Sequence, residues 1–304
     1  MANLKTALKW VLVLALFGAL GWNLATNWSE VSEYPWRINP FLASASIILV
    51  LVAYFLSGAL WGRIIGNLGH AVGPLSAFRI TFLANLGRYI PGKIWQAVGV
   101  MALAKPYGVR EQNAASSFVI SQAFALPSSA LVITLAAILE PGIVPSTEKD
   151  WIIPALAFVA VASLLVLMGL IFMPATMFNL ANRGLVKFGR EPVSLSLKKK
   201  DAGLLFLGYS LYWILHGLAF HIFLISIAPD NAPNAFESIG AFTLAHQIGY
   251  LAIFAPGGIG VREIFLAGAL ASFYNETAGA IAILARVWAM IAEALAALIS
   301  LRIK

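Results

Sequence analysis

Long apolar runs joined by short polar connections dominate this chain. Runs near residues 7–26, 40–65, 112–139, 151–174, 202–228 and 278–302 are each about as long as the roughly 20 residues a helix needs to cross a bilayer, and they predict six spanning helices. Two more apolar segments, 75–104 and 236–272, are interrupted part-way. The interruptions are Ile90-Pro91-Gly92-Lys93-Ile94-Trp95-Gln96 and Ala255-Pro256-Gly257-Gly258-Ile259-Gly260-Val261-Arg262-Glu263. Each is a Pro-Gly break with charge beside it. Backbone that breaks at membrane depth must find its hydrogen-bond partners in protein or in a water-filled cavity.

The expected fold is an all-α polytopic membrane protein with about six full spans plus two broken or re-entrant helical hairpins. The two halves match in pattern. Pro91-Gly92 is followed 16 residues on by Tyr107 and a polar turn, and Pro256-Gly257 is followed 18 residues on by Tyr274 and a polar turn; a small-residue helix comes next in both. This predicts an inverted-topology repeat, the arrangement of many transporters, with substrate at the repeat interface. The whole chain, 1–304, reads as one membrane domain. Residues 1–39 form a first span and outer loop, and 40–139 form repeat one around the hairpin 75–104. Residues 140–201 form a connecting span and basic cytoplasmic loop, and 202–304 form repeat two around the hairpin 236–272.

Composition agrees: 61% of the residues are hydrophobic and 11% are charged, against about 25% charged in soluble domains. Basic residues concentrate in alternate loops, at Arg63, Lys105, Arg110, Arg183, Lys187 and Lys198 to Lys200, while the other loops hold Glu30, Glu33, Glu140, Asp230 and Glu276. By the positive-inside rule both termini are cytoplasmic. The first hairpin then dips from inside and the second from outside, although a pair of full crossings would satisfy the same rule. The net charge of +7 is thus a topology signal, and no nucleic-acid partner is expected. Lys5 and Lys9 precede an apolar run that continues to about Ala25, which reads as an uncleaved first helix. The absence of cysteine excludes disulfides and thiolate chemistry.

The candidate chemistry lies at the breaks. Asn85, Arg88, Tyr89, Pro91, Gly92, Lys93, Trp95 and Gln96 surround the first. Helix resuming near Lys93 would offer unpaired amides and a positive dipole end, which suits phosphate; the alternative is that Arg88 and Lys93 snorkel to the interface. At the second break, Pro256, Gly257, Gly258 and Gly260 allow close backbone approach beside Arg262 and Glu263. There the alternatives are a ligand site or a buried ion pair or cap that holds the hairpin. Arg286 and Glu293 lie seven residues apart on one face of the last span, and pairing of Arg286 with Glu263 and of Glu293 with Arg262 is expected. His216, His221 and His246 read as hydrogen-bonded core residues. Gly58, Gly62 and Gly66 suit close helix packing. No nucleophile–base pair, metal cluster or paired catalytic carboxylates are apparent, so neither an enzyme nor a cofactor is expected.

The run Ala255 to Glu263, with the Asn85…Ile90-Pro91-Gly92-Lys93 break and the Arg286 helix, resembles the lysylphosphatidylglycerol synthase transmembrane-region family of flippase-like integral membrane proteins. The resemblance covers nearly the whole chain. Members often carry a Gly-Glu-like pair after the first proline, where this chain has Trp95-Gln96. The resemblance implies movement of a lipid or lipid-linked glycan headgroup between leaflets, with a membrane phospholipid or polyprenyl-linked lipid as partner. It also implies a multi-pass protein of a prokaryotic inner membrane. In the best-known member an aminoacyl-transferase domain is fused to this region; none is present here, so lipid aminoacylation is not expected. The alternatives are a secondary transporter of a small anionic solute and a non-catalytic partner of a lipid- or glycan-modifying enzyme.

Overall fold

The structure is a computed structural model, and it describes residues 36–90, 94–140, 149–173, 197–252 and 255–303, with isolated positions between 176 and 183. The first span expected near 7–26, most of the basic connecting loop, and Pro91, Gly92 and Lys93 lie outside the described residues.

Nine α-helices are present among the described residues: α1 (Pro40–Asn67), α2 (Pro74–Asn85), α3 (Trp95–Ala104), α4 (Glu111–Leu139), α5 (Lys149–Phe172), α6 (Lys199–Ile227), α7 (Ala235–Leu251), α8 (Val261–Tyr274) and α9 (Ala278–Arg302). Local chemistry sets several of their starts. The Asn39 side chain accepts from the amides of Phe41 and Leu42 at 3.1 and 3.2 Å, with Pro40 in the first turn. Asn234 and Glu237 form a reciprocal capping box at α7. Among the described residues, four helical stretches are long and apolar enough to cross a membrane: Pro40–Asn67, Glu111–Leu139, Lys199–Ile227 and Pro256–Arg302, the last containing α8 and α9. α1 leaves Ile48, Val52 and Phe55 exposed, and α5 leaves Phe158 and Leu165 exposed. Apolar faces of this extent suit lipid rather than water.

α1 and α6 pack along each other in opposite directions. The Asn39 amide, at the start of α1, donates to the Ser226 carbonyl at the end of α6 over 2.7 Å. At the other end, Arg63 of α1 pairs with Asp201 of α6 at 2.8 Å. α2 follows α1 after a short turn and α7 follows α6 after another, so α2 and α7 start at opposite ends of this pair. Each begins a broken hairpin, α2–α3 and α7–α8, as the interrupted segments predict. α2 has 12 residues and α3 has 10, so each rises only roughly 15–18 Å, about half the hydrocarbon thickness.

Equivalent close contacts recur in the two halves. A Cβ on Gly58 of α1 would meet the Phe78 backbone of α2 at 2.5 Å, and one on Gly217 of α6 would meet the Ile239 backbone of α7 at 2.6 Å. Phe78 and Ile239 occupy the same place in their helices. Each hairpin's second arm ends on a tyrosine, Tyr107 or Tyr274, followed by a residue of positive φ, Gly108 or Asn275. Of the other expected packing glycines, Gly62 meets Ala77 closely while Gly66 faces open space.

Candidate functional site

The two hairpin tips meet. After α2 the chain makes a short 3₁₀ turn, Leu86–Tyr89, and before α8 another, Pro256–Gly258. Gly257 (φ +60°) sits against the Tyr89 ring, where a Cβ would come within 2.8 Å of it. Gly258 (φ +72°) lies against the Gly249 backbone, where a Cβ would come within 2.9 Å of the carbonyl oxygen. Glycine is needed at both places, for backbone conformation and for space.

Five charged side chains gather around this junction. Glu263 accepts from the Gly260 amide at 2.7 Å, capping α8, and its other oxygen lies 3.6 Å from Arg286 Nε. Arg286 also donates through Nη1 to the Gly257 carbonyl at 3.1 Å. Both residues therefore hold the second tip to α9, which is the structural reading of Glu263 and one of the two expected ion pairs. The other expected pair does not form. Glu293 reaches into the first half, where it accepts from Arg88 and from the Tyr89 hydroxyl, the latter at 2.7 Å. The Arg88 and Glu293 side chains are only 15% and 3% exposed, so Arg88 is no snorkelling residue. The reason is geometric: α9 lies against α2 as well as α8, and the first tip brings two donors to the same carboxylate.

Arg262 is consequently left over. It is 5% exposed, its guanidinium lies 4.7 Å from the Phe242 ring centre, and its Nη2 has no hydrogen-bond partner. A cation–π contact is worth ~2 kcal/mol when desolvated, less than a charge-assisted bond plus its pairing. Gly249 of α7 packs on it as Gly87 packs on Trp95 and Gln96 in the first half.

Two adjoining cavities open beside the junction. The larger, about 140 Å³, lies between α1, α2, α3, α4, α6 and α7; the smaller, about 20 Å³, lies at the tips. Both are lined by Arg88, Gln96, His246 and Tyr250, and Arg262, Gly257 and Gly258 line only the smaller. Asn85 accepts from the Gln96 carboxamide at the wall of the larger. Of the predicted site residues, Asn85, Arg88, Gln96, Gly257, Gly258 and Arg262 thus line the cavities. Tyr89, Pro256, Gly260, Glu263, Arg286 and Glu293 build the junction behind them. Trp95 is 39% exposed and lines neither.

Sequence reading missed the far wall: Ser121 and Gln122 of α4, Tyr209 and Trp213 of α6, and His246 and Gln247 of α7. A signal was present, since Ser117 and Ser121 stand one turn apart in an otherwise apolar helix, as do Tyr209 and Trp213. The histidines are only partly as expected. His221 lies 3.0 Å from the Ser238 hydroxyl, and His216 Nδ1 lies 3.3 Å from that of Tyr212. His216 Nε2 and His246 Nδ1 have no partner, and His246 lines the cavities. No group of residues fit to hold a metal ion occurs among the described residues.

A bundle of apolar helices enclosing charged groups, two glycine-lined breaks and a polar cavity defines an integral, multi-pass helical membrane protein. Residues 10–297 match the family described as the lysylphosphatidylglycerol synthase TM region, and the chain belongs to that family. It is therefore a membrane protein of lipid metabolism or transport. No curated protein matches the chain.

Proposed function

We propose that this protein moves the headgroup of an anionic lipid, or of a lipid-linked glycan, between membrane leaflets. The observation that carries this reading is the meeting of two broken-hairpin tips at a buried cationic junction beside a polar cavity. The unpaired Arg262 and the cavity-lining Arg88 supply positive charge for a phosphate, and acyl or prenyl tails stay in lipid. Charge at membrane depth is costly and marks a functional site by default. The process is binding followed by conformational change, and it needs neither a covalent step nor a cofactor.

The hairpins start at opposite ends of the α1–α6 pair and share matched glycine contacts, which supports an inverted-topology repeat of re-entrant hairpins. In such a repeat the two halves rock or gate about a central site. Six spans, with both termini on the cytoplasmic side of a prokaryotic inner membrane, fit the distribution of basic loops. The small volume of the larger cavity, about 140 Å³, favours one alternative, a secondary transporter of a small anionic solute.

The test is leaflet exchange of fluorescent anionic lipids in vesicles holding only this protein. Exchange is expected with the natural sequence and is lost in Arg262→Leu while the fold persists. Uptake of a water-soluble anion without lipid exchange would favour the transporter. Failure to move any anionic lipid or solute would refute transport and favour a non-transporting partner of a lipid- or glycan-modifying enzyme.

A further inference from the structure

The lining of the larger cavity narrows the headgroup chemistry. Among the described residues that line the two cavities, the only permanently charged side chains are Arg88 and Arg262. Neither Glu263 nor Glu293 lines them, and both are engaged at the junction. A cationic group entering here meets the unpaired guanidinium of Arg262 and that of Arg88, whose Glu293 partner lies behind the wall, and no carboxylate lining the cavity. In a medium of low dielectric constant that repulsion is strong.

Away from the arginines the wall is neutral and rich in hydrogen-bonding groups. Gln122 and Gln247 each offer a carboxamide, which donates and accepts at once and so matches a hydroxyl. His246 Nδ1 is buried there without a partner. Trp61 and Trp213 also line the cavity, and their indole N–H groups are engaged elsewhere, with the Ser117 hydroxyl at 2.8 Å and the Ala125 carbonyl at 3.0 Å. They therefore offer ring carbon to a ligand, as a surface on which the C–H face of a saturated ring can lie. A volume of about 140 Å³ is several times the roughly 10–15 Å³ that admits a single water, so the cavity admits a ligand larger than one trapped water.

We infer that this cavity takes a neutral, hydroxyl-rich ring, a sugar or cyclic polyol, joined to a phosphate that lies between Arg88 and Arg262, and that it rejects an aminoacyl cation. The inference rests on the headgroup reading above and assigns the part of the headgroup beyond the phosphate. The ring with its phosphate can belong to a lipid or to a free sugar phosphate.

Binding to the purified full-length protein decides this, followed by calorimetry in detergent with four probes: dioctanoyl phosphatidylinositol, dioctanoyl phosphatidic acid, dioctanoyl lysylphosphatidylglycerol and hexose 1-phosphate. The inositol lipid is expected to bind about tenfold tighter than phosphatidic acid, the gain of one or two hydrogen bonds. The lysyl lipid is expected to bind no tighter than phosphatidic acid. Gln122→Leu, with Gln247→Leu as a second variant, removes the tenfold advantage without weakening phosphatidic acid; Arg262→Leu weakens both. Hexose 1-phosphate binding as tightly as the inositol lipid supports the subsite with a soluble source, and tight binding of the inositol lipid alone supports it with a lipid source. Equal binding of inositol lipid and phosphatidic acid, unchanged in both glutamine variants, overturns the ring subsite and leaves the anionic-headgroup reading standing. Tightest binding of the lysyl lipid overturns the subsite too. Binding of none of the four overturns both.

Discussion

Arg88→Met isolates the contact that joins the two halves. It strands the Glu293 carboxylate, whose side chain is 3% exposed, with the Tyr89 hydroxyl at 2.7 Å as its remaining close donor. That bond returns about 1 kcal/mol, whereas breaking a buried ion pair costs about 3–5 kcal/mol. A net loss near 3 kcal/mol is expected. Glu293→Gln is milder. The amide oxygen still accepts from Arg88 or Tyr89, and Arg88 faces a polar cavity that can hold water, so the loss is about 1–2 kcal/mol. Arg88→Met with Glu293→Met strands no charge, and its cost should fall below the sum of the two single Met replacements by about 2 kcal/mol. The assay is a double-mutant cycle on reversible unfolding in mixed micelles. A neutral interhelical hydrogen bond in a membrane protein averages about 0.6 kcal/mol of coupling, so a value near 2 kcal/mol identifies an ion pair. Additivity within about 0.5 kcal/mol, or a larger loss in Glu293→Gln than in Arg88→Met, refutes the reasoning.

Three more outcomes follow. Gly257→Ala and Gly258→Ala force a Cβ into the Tyr89 ring and the Gly249 carbonyl at positive φ, and each should lose about 2 kcal/mol or more in thermal unfolding. Gly66→Ala, with nothing within 4 Å of the added carbon, should be neutral or gain up to about 1 kcal/mol from helix propensity. Asn234→Ala breaks the capping box of α7 and should cost about 1 kcal/mol, read by urea unfolding.

The hairpins were legible in the sequence because Pro-Gly and charge inside an apolar run have few structural uses. The Arg286–Glu263 pair was legible for a related reason: both residues belong to one hairpin and the helix after it, so proximity follows from local folding. The far wall of the cavity was legible only as the one-turn spacings of Ser117 with Ser121 and of Tyr209 with Trp213, which do not say which way the helices face. Gln122 or Trp213 in a long apolar helix could face lipid, core or cavity, and near-uniform apolarity removes the amphipathic stripe that would set the rotation of the helix. Of the apolar runs read from hydropathy, five coincide with the helices α1, α4, α5, α6 and α9, and among the described residues α1, α4, α6 and the stretch holding α9 are long and apolar enough to cross a membrane.

Charge counting succeeded where charge placement failed. The sequence gives two acids, Glu263 and Glu293, against several cations near the breaks, and so predicts a positive surplus. Pairing Glu293 with Arg262 would leave that surplus in the first half. Glu293 instead takes Arg88, 205 residues away, a partner that no spacing rule could find. Because Glu263 is already committed to Arg286 and to the Gly260 amide, no acid remains for Arg262. Exchange of partners between the two halves therefore leaves Arg262, in the second half, without an acid among the described residues. There it lies beside the glycines of the break, in the smaller cavity, where a phosphate could reach it along with Arg88. A buried arginine with an unused Nη2 and no acid beside it costs stability that an apolar residue would not, and under the proposed function that cost is offset when an anion is held there.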